Sequence, residues 1–190
     1  MKKWNICIVS VMVIFVSLVS CGNMEDLDIS NEPSYLIMSN GDRVNLNVQY
    51  VRTDYFYGYE NLFPIPNNIT VVSSTNELEQ YYENHRRRFE DGQGNQIPDH
   101  NFLKAIENYS NIFFNENILL MVGLLETGGS SIRHKVDRID ENGNIFIKSK
   151  SLTPGMAFTD IATWSIIIEL NKNLSQQNFK ISSIIYVEGK

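Results

Sequence analysis

Two stretches decide the fold: Ile118-Leu119-Leu120-Met121-Val122-Gly123-Leu124-Leu125 and Thr163-Trp164-Ser165-Ile166-Ile167-Ile168-Glu169-Leu170. The first is a short, almost continuous apolar run, the composition of a central strand. The second alternates. Trp164, Ile166, Ile168 and Leu170 point one way, Ser165 and Glu169 the other, which is the two-residue period of a strand.

Working outward from these, Ile132 to Ile139 reads as a strand. A turn follows at Glu141-Asn142-Gly143-Asn144, and a strand from Ile145 to Lys148. Pro154-Gly155 marks a further turn, and Phe179 to Val187 forms the last strand. Upstream, Phe102 to Tyr109 reads as a short helix with Phe102, Ala105, Ile106 and Tyr109 facing inward, and Phe113 and Phe114 lead out of it. Ser74-Thr75-Asn76-Glu77 fits a capping box. The stripe Leu78, Tyr81, Tyr82 and Phe89 then predicts a helix that Asp91-Gly92 ends. Ile69 to Val72 is a short strand. Val44 to Val51 alternates as one half-buried strand with Val44, Leu46, Val48 and Tyr50 on a single side. Tyr55 to Pro66 is aromatic and turn-rich, with Pro64 and Pro66 blocking a regular ladder. Helices in the middle followed by a strand meander predict an α+β domain: an antiparallel sheet with one or two helices from the middle of the chain packed on one face.

The amino terminus reads separately. Lys2 and Lys3 precede the uncharged stretch Ile6 to Val19, which has signal-peptide length and is too short to span a bilayer, since that takes about 20 apolar residues. Leu18-Val19-Ser20-Cys21-Gly22 resembles the lipobox of bacterial lipoproteins. The resemblance implies cleavage before Cys21 and a lipid on its thiol. Residues 1–20 are thus expected to be a lipoprotein signal peptide, 21–33 an acidic flexible tether, and 34–190 a single globular domain.

The net charge is −6, and losing Lys2 and Lys3 takes it to −8. An acidic chain lacks the basic face that nucleic acid requires, so none is expected as a partner. The two cysteines are Cys7, in the discarded segment, and Cys21, consumed by lipidation. No disulfide or cysteine nucleophile would remain, so the fold must rest on its hydrophobic core.

The second half resembles a known family. Phe113-Phe114 followed by Ile118-Leu119, then Leu125-Glu126-Thr127-Gly128-Gly129-Ser130-Ser131, Val136, the Asn142-Gly143 turn, Pro154-Gly155 and Asp160-Ile161-Ala162-Thr163-Trp164 are similar to the C-terminal domain of PrcB-type protease-complex accessory subunits. The match runs over residues 112–172, and Thr127-Gly128-Gly129 is its most specific part. It implies an extracytoplasmic, non-catalytic partner protein and supplies no catalytic residues.

Glu126, Thr127, Gly128, Gly129, Ser130 and Ser131 form the candidate binding loop. Its glycines let another chain approach closely, although a tight or bulged hairpin would need them equally. His85, His100 and His134 are widely spaced and match no metal-ligand pattern, so no metal or other cofactor is expected. No nucleophile elbow appears. Arg86-Arg87-Arg88 reads as a solvated basic run at a helix end, with contact to an anionic surface as the alternative. Tyr55, Phe56, Tyr57, Tyr59 and Phe63 read as core packing or as the lining of a groove. Trp164 reads as core and Asp160 as a turn cap.

These readings lead to a lipid-anchored protein on the extracytoplasmic face of the cell membrane. It would be held there through the lipid on Cys21 and bind another extracytoplasmic protein or help assemble a complex, without catalysis. One alternative is a protease-inhibitor-like module presenting Thr127-Gly128-Gly129. A further alternative is a hydrolytic enzyme.

Overall fold

A strand that is apolar on both faces needs cover on both, and the fold supplies it in three layers. The structure, a computed structural model, describes residues 32–54, 68–90, 102–127, 132–151 and 161–187. In chain order the elements are β1 (Tyr35–Ile37), β2 (Arg43–Asn45), β3 (Val48–Asp54), β4 (Asn68–Val72), α1 (Thr75–His85), α2 (Phe102–Ile106), α3 (Phe113–Glu116), β5 (Asn117–Thr127), β6 (Ile132–Ile139), β7 (Asn144–Ser151), β8 (Ile161–Asn171) and β9 (Lys180–Val187). The α+β class holds.

The strands divide over two sheets, a partition that their periodicity does not reveal. One sheet has the order β3-β8-β5-β4, antiparallel throughout. The other has the order β2-β1-β6-β7-β9, and its β1–β6 and β7–β9 pairs are parallel. Ile118, Leu120, Val122 and Leu124 of β5 and Trp164, Ile166, Ile168 and Leu170 of β8 fill the space between the sheets. They meet Leu36, Val136, Ile139, Ile145, Ile147 and Phe179 there. The alternate residues Leu119, Met121 and Ile167 face the other way, onto the helices, with Leu78, Tyr81, Phe89, Phe102, Tyr109 and Phe114. Each fully buried aliphatic side chain of this kind contributes about 1.5–3 kcal/mol. β5 and β8 are the inner strands of the four-stranded sheet, covered by the second sheet on one face and by the helices on the other.

The segment Val44 to Val51 is not one strand. Its first part is β2, in the five-stranded sheet, and its second is β3, in the four-stranded sheet. Leu46, Val48 and Tyr50 still pack against the inter-sheet core, so the alternation survives while the chain turns the corner, but Val44 is left 50% exposed. The corner is pinned by Leu46 N donating to Ser34 O at 2.8 Å and Glu169 N donating to Asn47 O at 3.1 Å.

The first helix is shorter than its stripe predicts. Ser74 caps it, accepting from Glu77 N at 3.2 Å, while Glu77 Oε2 reaches back to Ser73 N at 2.6 Å, one residue beyond the usual reciprocal partner. The helix stops at His85 rather than at Asp91-Gly92, and Arg86–Arg88 form a 3₁₀ turn. The tighter winding carries Phe89 into the aromatic layer, where its ring stacks 3.9 Å from that of Phe102. The Asn142-Gly143 turn forms as expected. Gly143 takes a positive φ of 76°, and Asp140 Oδ1 accepts from the amides of Asn142 and Asn144, each at 2.9 Å.

Candidate functional site

The residues expected to carry function are dispersed. Cys21 lies outside the described residues, as do His100, Asp160, the aromatic group Tyr55, Phe56, Tyr57, Tyr59 and Phe63, and Gly128, Gly129, Ser130 and Ser131. Of the proposed tether, Glu32 is described, and it pairs with Lys148 at 3.1 Å on the five-stranded sheet. Glu126 and Thr127 are the last two residues of β5 and pair with Ala162 and Ile161 of β8. The hairpin reading of the Gly-Gly connection is corrected: β5 and β6 belong to different sheets, so the connection passes from one sheet to the other.

His134 and Ser149 form a pair that resembles a base and a nucleophile. His134 Nδ1 and Ser149 Oγ lie 2.7 Å apart, and Trp164 meets the imidazole edge-on at 5.4 Å. Ser149 is fully enclosed, at 0% exposure, so its hydroxyl faces no substrate. The two residues are directly paired across β6 and β7, and the contact satisfies polar groups at the end of the inter-sheet core. Trp164 is core, as expected. Among the described residues no group of three or more His, Cys, Asp or Glu could hold a metal ion.

The last strand is different in kind. β9 pairs with β7 on one side only, and among the described residues no strand pairs with its other side. Its sequence, Lys180-Ile181-Ser182-Ser183-Ile184-Ile185-Tyr186-Val187, carries charge only at Lys180 and has no proline. Ile185, Tyr186 and Val187 are 51%, 67% and 38% exposed. Natural edge strands are usually blunted by charges, proline, bulges or shortness. β9 has a register shift near its start, between Ile145 and Phe146 of its partner, and none of these devices beyond it. Across the sandwich, β4 ends the four-stranded sheet, and Ile69 with Phe179 to Ile184 lines an open cleft of about 550 Å³ between the two edges. The sequence carried a signal for this: four consecutive apolar residues, Ile184 to Val187, exceed what a half-buried strand needs.

A second feature lies under α1. Val51, Ser165, Gly123 and Asn68 form one row across the helix-facing side of the four-stranded sheet. The small residues in the middle let the Asn68 side chain and Arg88 lie directly against the strand. A β-carbon on Gly123 would stand 2.3 Å from Asn68 Oδ1 and 3.5 Å from Arg88 Nη1. In the next row, Thr53 and Thr163 share a hydrogen bond of 2.6 Å between their hydroxyls. Tyr81 and Arg88 descend onto this row from α1 and the turn after it. The expected solvated run Arg86-Arg87-Arg88 is thereby corrected for Arg88. Arg86 stays at the surface with Glu83 and Glu90 at 3.6 and 2.7 Å, whereas Arg88 turns inward. Arg88 is the last residue of the 3₁₀ turn that follows α1, next to the fully buried Phe89.

Searches among protein-family models, curated proteins and solved structures find no match to this chain.

Proposed function

We propose that this protein is a lipid-anchored extracytoplasmic binding module that takes an extended segment of another protein as an added strand on β9. The observation that carries the reading is the edge of β9 that no other described strand pairs with, with Ile185, Tyr186 and Val187 exposed along it. Strand addition satisfies the open row of backbone groups, and alternate side chains of the incoming segment set specificity. The occupant is therefore an extended peptide segment with apolar residues at alternate positions. Its apolar side chains would cover Ile185 and Val187 on the outer face of the sheet, or enter the cleft beside Ile69. The lipobox-like Cys21 and the resemblance of residues 112–172 to PrcB C-terminal domains point the same way, toward a protein partner outside the cytoplasm.

The test is site-specific photocrosslinking in cells with a photoreactive residue at Tyr186, and at Val44 as an exposed control on the opposite edge of the same sheet. A discrete adduct is expected from position 186 and none from 44. Ile185→Lys with Val187→Lys should remove the adduct while the melting midpoint stays within about 2 °C, because exposed substitutions change stability little. Equal adducts from both positions, or an adduct that survives the double substitution, would sink the reading.

A further inference from the structure

We propose that the groove between α1 and α2 docks a basic amphipathic helix of a partner protein. The argument does not depend on the β9 edge. The groove belongs to the helix layer that covers the four-stranded sheet, whereas β9 belongs to the other sheet.

Leu78 and Tyr82 lie one turn apart on α1, and Leu103 and Ile106 one turn apart on α2. Together they line an open cleft of about 420 Å³, within the range of about 300–1,000 Å³ that ligand clefts occupy. The walls are fixed. Tyr82 stacks on Phe89 and Phe102 with ring centroids 6.0 and 6.1 Å apart, and its hydroxyl donates to Glu90. Leu103 is left 40% exposed at the mouth. Covering it would remove apolar surface from water, the main favourable term in association.

The lip of the groove is acidic. Glu79 and Glu83 stand one turn apart on α1, and Glu107 directly follows α2. Glu83 pairs with Arg86 at 3.6 Å, an exposed contact that a competing cation displaces easily. Among the described residues Glu79 and Glu107 have neither an ion pair nor a hydrogen bond. Lys104, the cation of α2, does not line the cleft. Carboxylates around an apolar floor favour an occupant that is cationic around an apolar centre. They disfavour an anionic lipid surface, a nucleic acid and a second copy of this chain, whose net charge is −6.

The walls also decide the shape of the occupant. Neither is a strand edge, so an extended segment would find no ladder to join. A helix brings its own backbone hydrogen bonds and lays one apolar stripe into a groove. Its apolar residues would meet Tyr82, Leu103 and Ile106, and the lysines or arginines flanking them would meet Glu79, Glu83 and Glu107.

The test places the full-length chain in phosphatidylcholine nanodiscs, with empty nanodiscs as background, and follows the fluorescence anisotropy of labelled peptides. The first peptide carries leucines at i, i+3, i+4 and i+7 flanked by lysines. The second has glutamate at every lysine position, and the third is the first with a central proline. Only the first should bind, in the micromolar range. Glu79→Lys with Glu107→Lys should weaken it about tenfold or more, because attractions become repulsions, while the melting midpoint stays within about 2 °C. Glu116→Lys with Glu141→Lys makes the same charge change elsewhere on the surface and should weaken binding about twofold or less. Leu103→Ser should weaken it about fivefold through lost apolar contact. Ile185→Lys with Val187→Lys should leave it within about twofold, which separates this groove from the β9 edge. No saturation below about 1 mM would overturn the proposal. So would equal binding of the glutamate or proline peptide, equal losses from the two charge-reversal pairs, full binding by Leu103→Ser, or loss of binding with the β9 substitutions.

Discussion

Tyr50 reaches from β3 across the inter-sheet core, and its Oη accepts the amide of Val136 on β6 at 3.0 Å. β1 pairs with β6 at Arg138 and Ile139, so among the described residues no strand pairs with the neighbouring Val136 on that side. Tyr50 takes its amide, and Ser34 Oγ donates to its carbonyl at 2.5 Å. Two side chains from outside β6 thus complete the ladder where β1 has ended. Tyr50→Phe keeps the ring in the core and orphans the amide. The expected cost is about 1–3 kcal/mol, measured by denaturant unfolding. A loss below about 0.5 kcal/mol would mean that the amide finds another acceptor.

Acid should destabilise the protein in two separate windows. Burial lowers the pKa of His85, even though its Nδ1 sits 2.7 Å from Tyr81 O, and the charge of Arg88 pushes the same way as burial. The unfolded chain therefore takes up the proton first. This contribution is complete above the ordinary histidine value of about 6.5 and is lost as pH falls through the lower folded value. Asp137 and Asp140 act lower. Burial raises both, but hydrogen bonds win: Lys148 and Arg138 hold Asp137 below the usual carboxylate range, and Asn144 and Asn142 hold Asp140 there. Their contribution is lost only as pH falls below about 4. Unfolding midpoints measured from pH 8 to 3 should step down twice. His85→Gln should remove the upper step alone; if that step persists unchanged, another group is responsible.

Gly143→Ala should cost about 1–3 kcal/mol. The residue sits at a positive φ of 76°, where a side chain is strained, and an added β-carbon would stand 3.0 Å from Asn178 O. That neighbour is backbone and cannot swing aside. The same turn also holds the start of β9, since Lys180 N donates to Gly143 O at 3.0 Å. Hydrogen exchange should therefore speed up at both the Asp140–Asn144 turn and the first residues of β9. Faster exchange at the turn alone would show that the two are not coupled.

The sequence makes the strands and the first helix legible because each has a period that burial enforces, from Trp164 to Leu170 in β8 and from Leu78 to Tyr81 in α1. It cannot show which sheet a strand joins. Leu46, Val48 and Tyr50 keep one inward alternation through a corner, and inward means the same core from either sheet. The inward turn of Arg88 is hidden for a related reason. Arg88 belongs to a run of three arginines whose composition says surface, and only its place next to Phe89 says otherwise. Gly123 reads as a weak spot in an apolar strand until Asn68 and Arg88 are found over it. The expected Gly-Gly hairpin fails because the pattern gives two strands and a short connection, and nothing in the intervening residues tells a hairpin from a passage between sheets.

Cys21→Ala tests the proposed anchor and the proposed edge together. With a lipid on Cys21 and a short tether before Tyr35, β9 would stay near the membrane face, where a tethered partner experiences a high effective concentration. A contact too weak to persist between freely diffusing proteins can then be well occupied. The substituted protein should move from the membrane fraction to the soluble fraction. Its adduct from a photoreactive residue at position 186 should fall about tenfold or more, while its folded domain melts at the wild-type temperature. Full retention in the membrane would refute the lipid anchor. Release with an undiminished adduct would leave the β9 contact standing but show that it does not depend on tethering.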